Sequence, residues 1–224
     1  MTELRAPVAP EVHSAAYLAL GDSYSIGEGV AEAGRWPVQL ARALRAEGLA
    51  IADPHIVART GWTTDELEGA IDQAVVAGTL PAAHGGFGFA SLLIGVNNQY
   101  RGRALAEYGE QFDRLLARAL AFVGDRPSRV LVLSIPDWGV TPFARAQGRD
   151  AAQIAHEIDA FNRLAAELCA GRDVTFVDIT PTSRDRGDAP QMLAEDGLHP
   201  SAAMYQRWTE RALPAARGSW GRAA

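Results

Sequence analysis

The chain has no lysine. All 21 of its basic residues are arginine, which excludes a Schiff-base lysine and the lysine of a phosphate-binding P-loop, and several enzyme classes with them. It has one cysteine, Cys169, so neither an internal disulfide nor a cysteine metal cluster can form. Flanked by Leu168 and Ala170 in a helical stretch, that thiol reads as a small buried hydrophobe. No apolar run approaches the roughly 20 residues that span a bilayer, so no integral membrane segment is expected. The residues Met1-Thr2-Glu3-Leu4-Arg5 lack the apolar stretch of a secretory signal, and the run 15–20 is too short for one, which makes a cytoplasmic location the default expectation. A basic surface is missing as well: the formal net charge is −6, the wrong sign for neutralising nucleic-acid phosphates. No His/Cys/Asp cluster has metal-ligand spacing, and no metal or cofactor is implied. An acidic soluble enzyme is the plain reading of that charge balance. Its oligomeric state is not legible.

The 224 residues fit one domain, 1–224, with 1–13 and 218–224 read as flexible ends. Short apolar runs alternate with longer amphipathic stretches, the pattern of βα units around a parallel sheet. The runs 15–20, 55–58, 87–94, 129–134 and 174–178 read as strands. Those apolar at every position, Ser91-Leu92-Leu93-Ile94 and Val130-Leu131-Val132-Leu133, suit central strands covered on both faces. Helices are expected over 37–47, 64–77, 105–123, 151–170 and 202–215. Pro37 sits at a first turn, Thr63-x-x-Glu66 has capping-box spacing, and Gly48, Gly78, Gly124 and Gly171 follow helices as terminating glycines. Right-handed crossovers give a three-layer α/β/α sandwich with the strand C-termini on one edge, where ligand groups collect.

Four short blocks fall at that edge. Gly21-Asp22-Ser23-Tyr24 directly follows the first strand and offers Ser23 as a nucleophile. Asp196-Gly197-Leu198-His199-Pro200 supplies a base and an orienting carboxylate three residues apart. Between them stand Gly61, in Arg59-Thr60-Gly61-Trp62, and Asn97, in Gly95-Val96-Asn97-Asn98. Each block alone has a bland reading: Gly-Asp-Ser makes ordinary turns, Asp-Gly and Asn-Asn suit loops, and His-Pro-Ser opens helices. The other histidines, His13, His55, His84 and His156, lack a comparable carboxylate and loop. Together, the blocks resemble the SGNH, or GDSL-like, serine hydrolase and esterase family, over most of the chain from Tyr17 to about Ser201. The sequence departs from the usual family pattern at Tyr24, where Leu is common, and at Asn98, where Asp is usual.

The resemblance implies a flavodoxin-like five-stranded parallel sheet and a metal-independent esterase of the hydrolase class. Ser23 would attack an acyl ester, His199 would take its proton, and Asp196 would orient the imidazole. The backbone N–H groups of Ser23 and Gly61 and the side-chain amide of Asn97 would form the oxyanion hole. Asp22, Tyr24, Trp62, Asn98 and Trp138, with Tyr100, are expected around the substrate crevice. A small or short-acyl carboxylic ester is the expected substrate, with lysophospholipase, thioesterase or carbohydrate deacetylase action as alternatives. A different class of reading is a flavodoxin-like module in which the loop 21–27 cradles a phosphate. It leaves Asn97, Asp196 and His199 without a role.

Overall fold

The computed structural model describes residues 14–82 and 85–221. The expectations for 1–13, with His13, for His84 and for 222–224 lie outside the described residues. Five strands, β1 (Ala15–Gly21), β2 (Ile51–Ala58), β3 (Phe89–Leu93), β4 (Val130–Leu133) and β5 (Thr175–Val177), form one parallel sheet in the order β2-β1-β3-β4-β5. The helices are α1 (Ser23–Ile26), α2 (Trp36–Ala46), α3 (Thr64–Val76), α4 (Val96–Tyr100), α5 (Leu105–Phe122), α6 (Pro142–Ala146), α7 (Ala151–Ala170), α8 (Thr180–Arg186) and α9 (Ala202–Trp220). α2 packs on α9, and α5 on α3 and α7. These two groups sandwich the sheet, giving the three-layer α/β/α architecture. No described helix is long and apolar enough to cross a membrane.

The central strands behave as their composition requires. Every residue of β3 and β4 is buried, because helices cover both faces of a parallel sheet. β2 begins at Ile51, four residues before the sequence pattern suggests. Pro54 interrupts the alternation there, yet β2 is an edge strand, where a missing backbone donor is tolerated. At α3, the Glu66 carboxylate accepts the Thr63 backbone N–H at 2.9 Å, as the capping-box spacing implies. Gly171 caps α7 in right-handed conformation instead of reversing the chain. The left-handed residue is Asp173, φ 56°.

The register aligns the strand ends. Gly21 pairs with Ala58 on one side and Leu93 on the other, and Leu133 pairs with Val177. The loops that follow all five strands therefore start from one edge. At the opposite end of the chain, α9 continues past Pro214 to Trp220, into the segment expected to fray. The reason is burial: Trp220 is fully inaccessible, stacks on Phe89 with centroids 4.8 Å apart and meets Tyr17 edge-on at 5.3 Å. That apolar anchor offsets the helix-breaking cost of the proline. Trp220→Ala is expected to lower the unfolding free energy by about 3–5 kcal/mol, measured by urea denaturation. A loss under about 1 kcal/mol would show that the end is not anchored.

Candidate active site

Ser23 owes its position to Gly21. A Cβ at Gly21 would collide with Ser25 Oγ and lie 2.5 Å from the Leu93 carbonyl oxygen, so only glycine lets β1 end this close to β3. Asp22 then caps α1, its Oδ1 accepting the Tyr24 N–H at 3.0 Å, and Ser23 becomes the first helical residue. Asp22 is wholly buried and its Oδ2 has no hydrogen-bond partner in the structure. Burial pushes its carboxyl up to about 7, against the smaller opposing effect of backbone N–H groups.

The fourth block forms a tight loop. Asp196 Oδ1 accepts the backbone N–H groups of Leu198 and His199, both at 2.9 Å, while Oδ2 lies 2.5 Å from His199 Nδ1. Partial burial raises the Asp196 carboxyl, but the His199 ring and those two N–H groups outweigh it and hold the group below its ordinary value. The loop is tied down on both sides. Phe143 N–H donates to Gly197 O at 3.2 Å, and Ala194 N–H to His199 O at 2.7 Å beside the Leu193–Pro200 bridge. The ring of Tyr24 meets the His199 imidazole edge-on at 5.9 Å.

These groups converge on a pocket of about 210 Å³. Ser23, His199, Gly61, Asn97 and Thr60 bring polar groups to its lining; Val96, Tyr100, Trp138, Phe143 and Leu198, with Tyr24, give the wall its apolar character. Gly61 has φ 88°, a left-handed conformation that favours glycine, and its carbonyl accepts Arg101 Nη2–H at 2.6 Å. Asn97 Nδ2 donates to Trp62 O at 2.8 Å, which uses one of its two amide hydrogens. Trp138 is pinned by its Nε1–H to Gln99 Oε1 at 2.8 Å. Arg149 lies over the rings of Tyr100 and Trp138.

Three residues expected around the crevice do not line the pocket. Asp22 is wholly buried. Asn98 is also inaccessible: its Oδ1 accepts the Thr64 N–H at 3.1 Å and its Nδ2 donates to Thr64 Oγ1 at 2.7 Å, so it clamps the start of α3. Trp62 packs partly against the core and contributes its carbonyl. Conversely, Phe143 and Leu198 are pocket residues that the sequence reading did not single out. Thr141-Pro142, a capping residue before a first-turn proline, is the signal for the helix carrying Phe143. Among the described residues, no group of three His, Cys, Asp or Glu side chains is arranged to hold a metal ion.

The family model described as GDSL-like Lipase/Acylhydrolase matches residues 19–207. No curated protein matches the sequence. Among solved structures, TesA aligns with a TM-score of 0.68 at 20% identity, covering 91% of this chain and 98% of its own. A lipase/acylhydrolase from Enterococcus faecalis aligns at 0.66 and 19%, covering 93% and 96%. An acetylxylan esterase from Geobacillus stearothermophilus aligns at 0.64 and 18%, covering 94% and 98%. At these identities the likeness establishes the fold.

The two aspartates imply separable effects of pH on stability. Asp22 titrates near 7 when folded and near 3.8 as a free side chain. Between those values the folded state holds a proton that the unfolded state releases, so this contribution falls as pH rises from about 4 to 7. Asp196 acts the other way: its depressed value adds stability that is lost as pH falls through that value, below about 4. Relative to Asp22→Asn, the wild type is expected to lose on the order of 4 kcal/mol of unfolding free energy between pH 4 and pH 7.5, measured by urea denaturation across pH. Parallel curves for the two proteins would show that Asp22 ionises normally.

Proposed function

The chain belongs to the GDSL-like lipase/acylhydrolase family, and from that premise we propose that it is a serine esterase working through an acyl-enzyme on Ser23. The observation that carries this reading is a single pocket lined by Ser23, His199, Gly61 and Asn97, with the Asp196 carboxylate 2.5 Å behind the imidazole. In the reaction, Ser23 Oγ bonds to the ester carbonyl carbon while His199 takes the hydroxyl proton. Asp196 fixes the Nδ1–H tautomer and stabilises the imidazolium. Collapse of the tetrahedral intermediate breaks the bond to the alcohol oxygen, which leaves with the proton from His199. Water then repeats the sequence on the acyl-serine, releasing the acid and restoring Ser23.

The negative charge on the carbonyl oxygen is met by the Ser23 and Gly61 N–H groups and by the second amide hydrogen of Asn97. Donors held in place before charge develops need no reorganisation, which is why they lower the barrier. A pocket of about 210 Å³ with an apolar wall favours a small or short-acyl ester over a long lipid chain. The phosphate-cradle reading is weakened at α1, where the Asp22 carboxyl already takes the Tyr24 N–H that an anion would need.

Ser23→Ala is expected to abolish ester hydrolysis with the fold intact, since one hydroxyl contributes little packing. Persistent turnover in the purified variant would end the mechanism. Asn97→Ala is expected to lower kcat by roughly 10²- to 10³-fold with a smaller change in KM, read by steady-state kinetics on a small ester. A residue that only ties the loop to Trp62 would instead cost about 1 kcal/mol of stability and leave kcat near wild type.

A further inference from the structure

Behind the substrate pocket lies a second, smaller cavity of about 20 Å³, with Met192, Pro200, Met204 and Trp208 in its lining. Its polar neighbours are occupied elsewhere. Asp137 accepts from Gly139 N–H and Arg184, the Thr141 hydroxyl donates to Trp138 O, and the Ser183 hydroxyl donates to Thr180 O. The surface left to a ligand is therefore mainly hydrocarbon and thioether, which suits the end of an apolar chain. Three residues line both spaces: Tyr24, Trp138 and Leu198. Tyr24 is held between His199 and Trp208, and Trp138 is pinned by Gln99. Leu198 differs, because its loop position is set by its backbone N–H to Asp196, and its side chain is only partly buried.

We propose that Leu198 is the partition between the substrate pocket and a rear apolar subsite, and thereby sets how long a hydrocarbon chain the ester can carry. The proposal deepens the esterase reading and rests on it for the identity of the substrate. Shortening Leu198 merges the two spaces, while the backbone bond to Asp196 and the Tyr24 brace stay in place. The same loop thus carries the base and limits the chain.

The test measures chain-length dependence in wild type, Leu198→Ala and Leu198→Val. One arm follows hydrolysis of two ester series, p-nitrophenyl esters of straight-chain acids and acetates of straight-chain alcohols. The other follows binding of straight-chain alcohols by tryptophan fluorescence, which needs no turnover. Wild type is expected to stop gaining kcat/KM, and affinity, at a short chain. In Leu198→Ala the break moves to longer chains, with about a fourfold gain for each methylene newly accommodated. Leu198→Val shows a smaller shift in the same direction and serves if the alanine variant does not fold. Adding Met192→Phe, which fills the rear space, returns the break toward wild type. An unchanged break in both ester series and in alcohol binding overturns the proposal. A shifted binding break without ester hydrolysis by wild type keeps the partition and counts against the esterase reading.

Discussion

The approach of β1 to β3 at Gly21 sets where the reactive groups can stand. Because no side chain separates Gly21 from the Leu93 carbonyl, the ends of the two strands come together, and the loops beginning at Ser23 and Gly95 share one edge of the sheet. Gly95 imposes a second close fit. With φ 127° and the Tyr108 ring 2.6 Å from where a Cβ would be, it turns the chain so that Val96 and Asn97 reach the pocket. The parallel register then delivers the other loops to the same place. Tyr24, one residue after Ser23, closes the arrangement by bracing the imidazole from the opposite loop.

Two aspartates near this edge show how placement decides chemistry. Asp196 stands partly in solvent, accepts three hydrogen bonds and is held below its ordinary value, which favours the ionised form. Asp22 accepts the Tyr24 N–H at a wholly buried position, and burial drives it toward its neutral form. Its contribution is to start α1, and so to present Ser23 at a helix N-terminus. The same residue type supplies charge in one loop and geometry in the other.

Much of this was legible in the sequence because glycine spacing and apolar runs report directly on backbone constraints. The five strands, the five long helices and the four blocks could be read along the chain. What escaped depends on contacts distant in sequence. β2 looked short because Pro54 breaks its pattern, and only sheet order reveals that an edge tolerates it. The last helix looked frayed because the partners of Trp220, Tyr17 and Phe89, lie near the other end of the chain or at its middle. Asn98 looked like a crevice residue through its neighbour Asn97, but adjacent helical positions point in different directions, and its amide turns to Thr64. Leu198 has no reactive group to mark it within its block, and that it lines two cavities follows only from the fold.

The central claim is that Ser23 is the nucleophile, and covalent trapping tests it most directly. The protein is incubated with a fluorophosphonate, its intact mass is measured, and the adduct is located by peptide mapping. The account predicts one adduct per chain, on Ser23, formed in parallel with loss of ester hydrolysis. An adduct on another residue, or full inhibition with Ser23 unmodified, would contradict it.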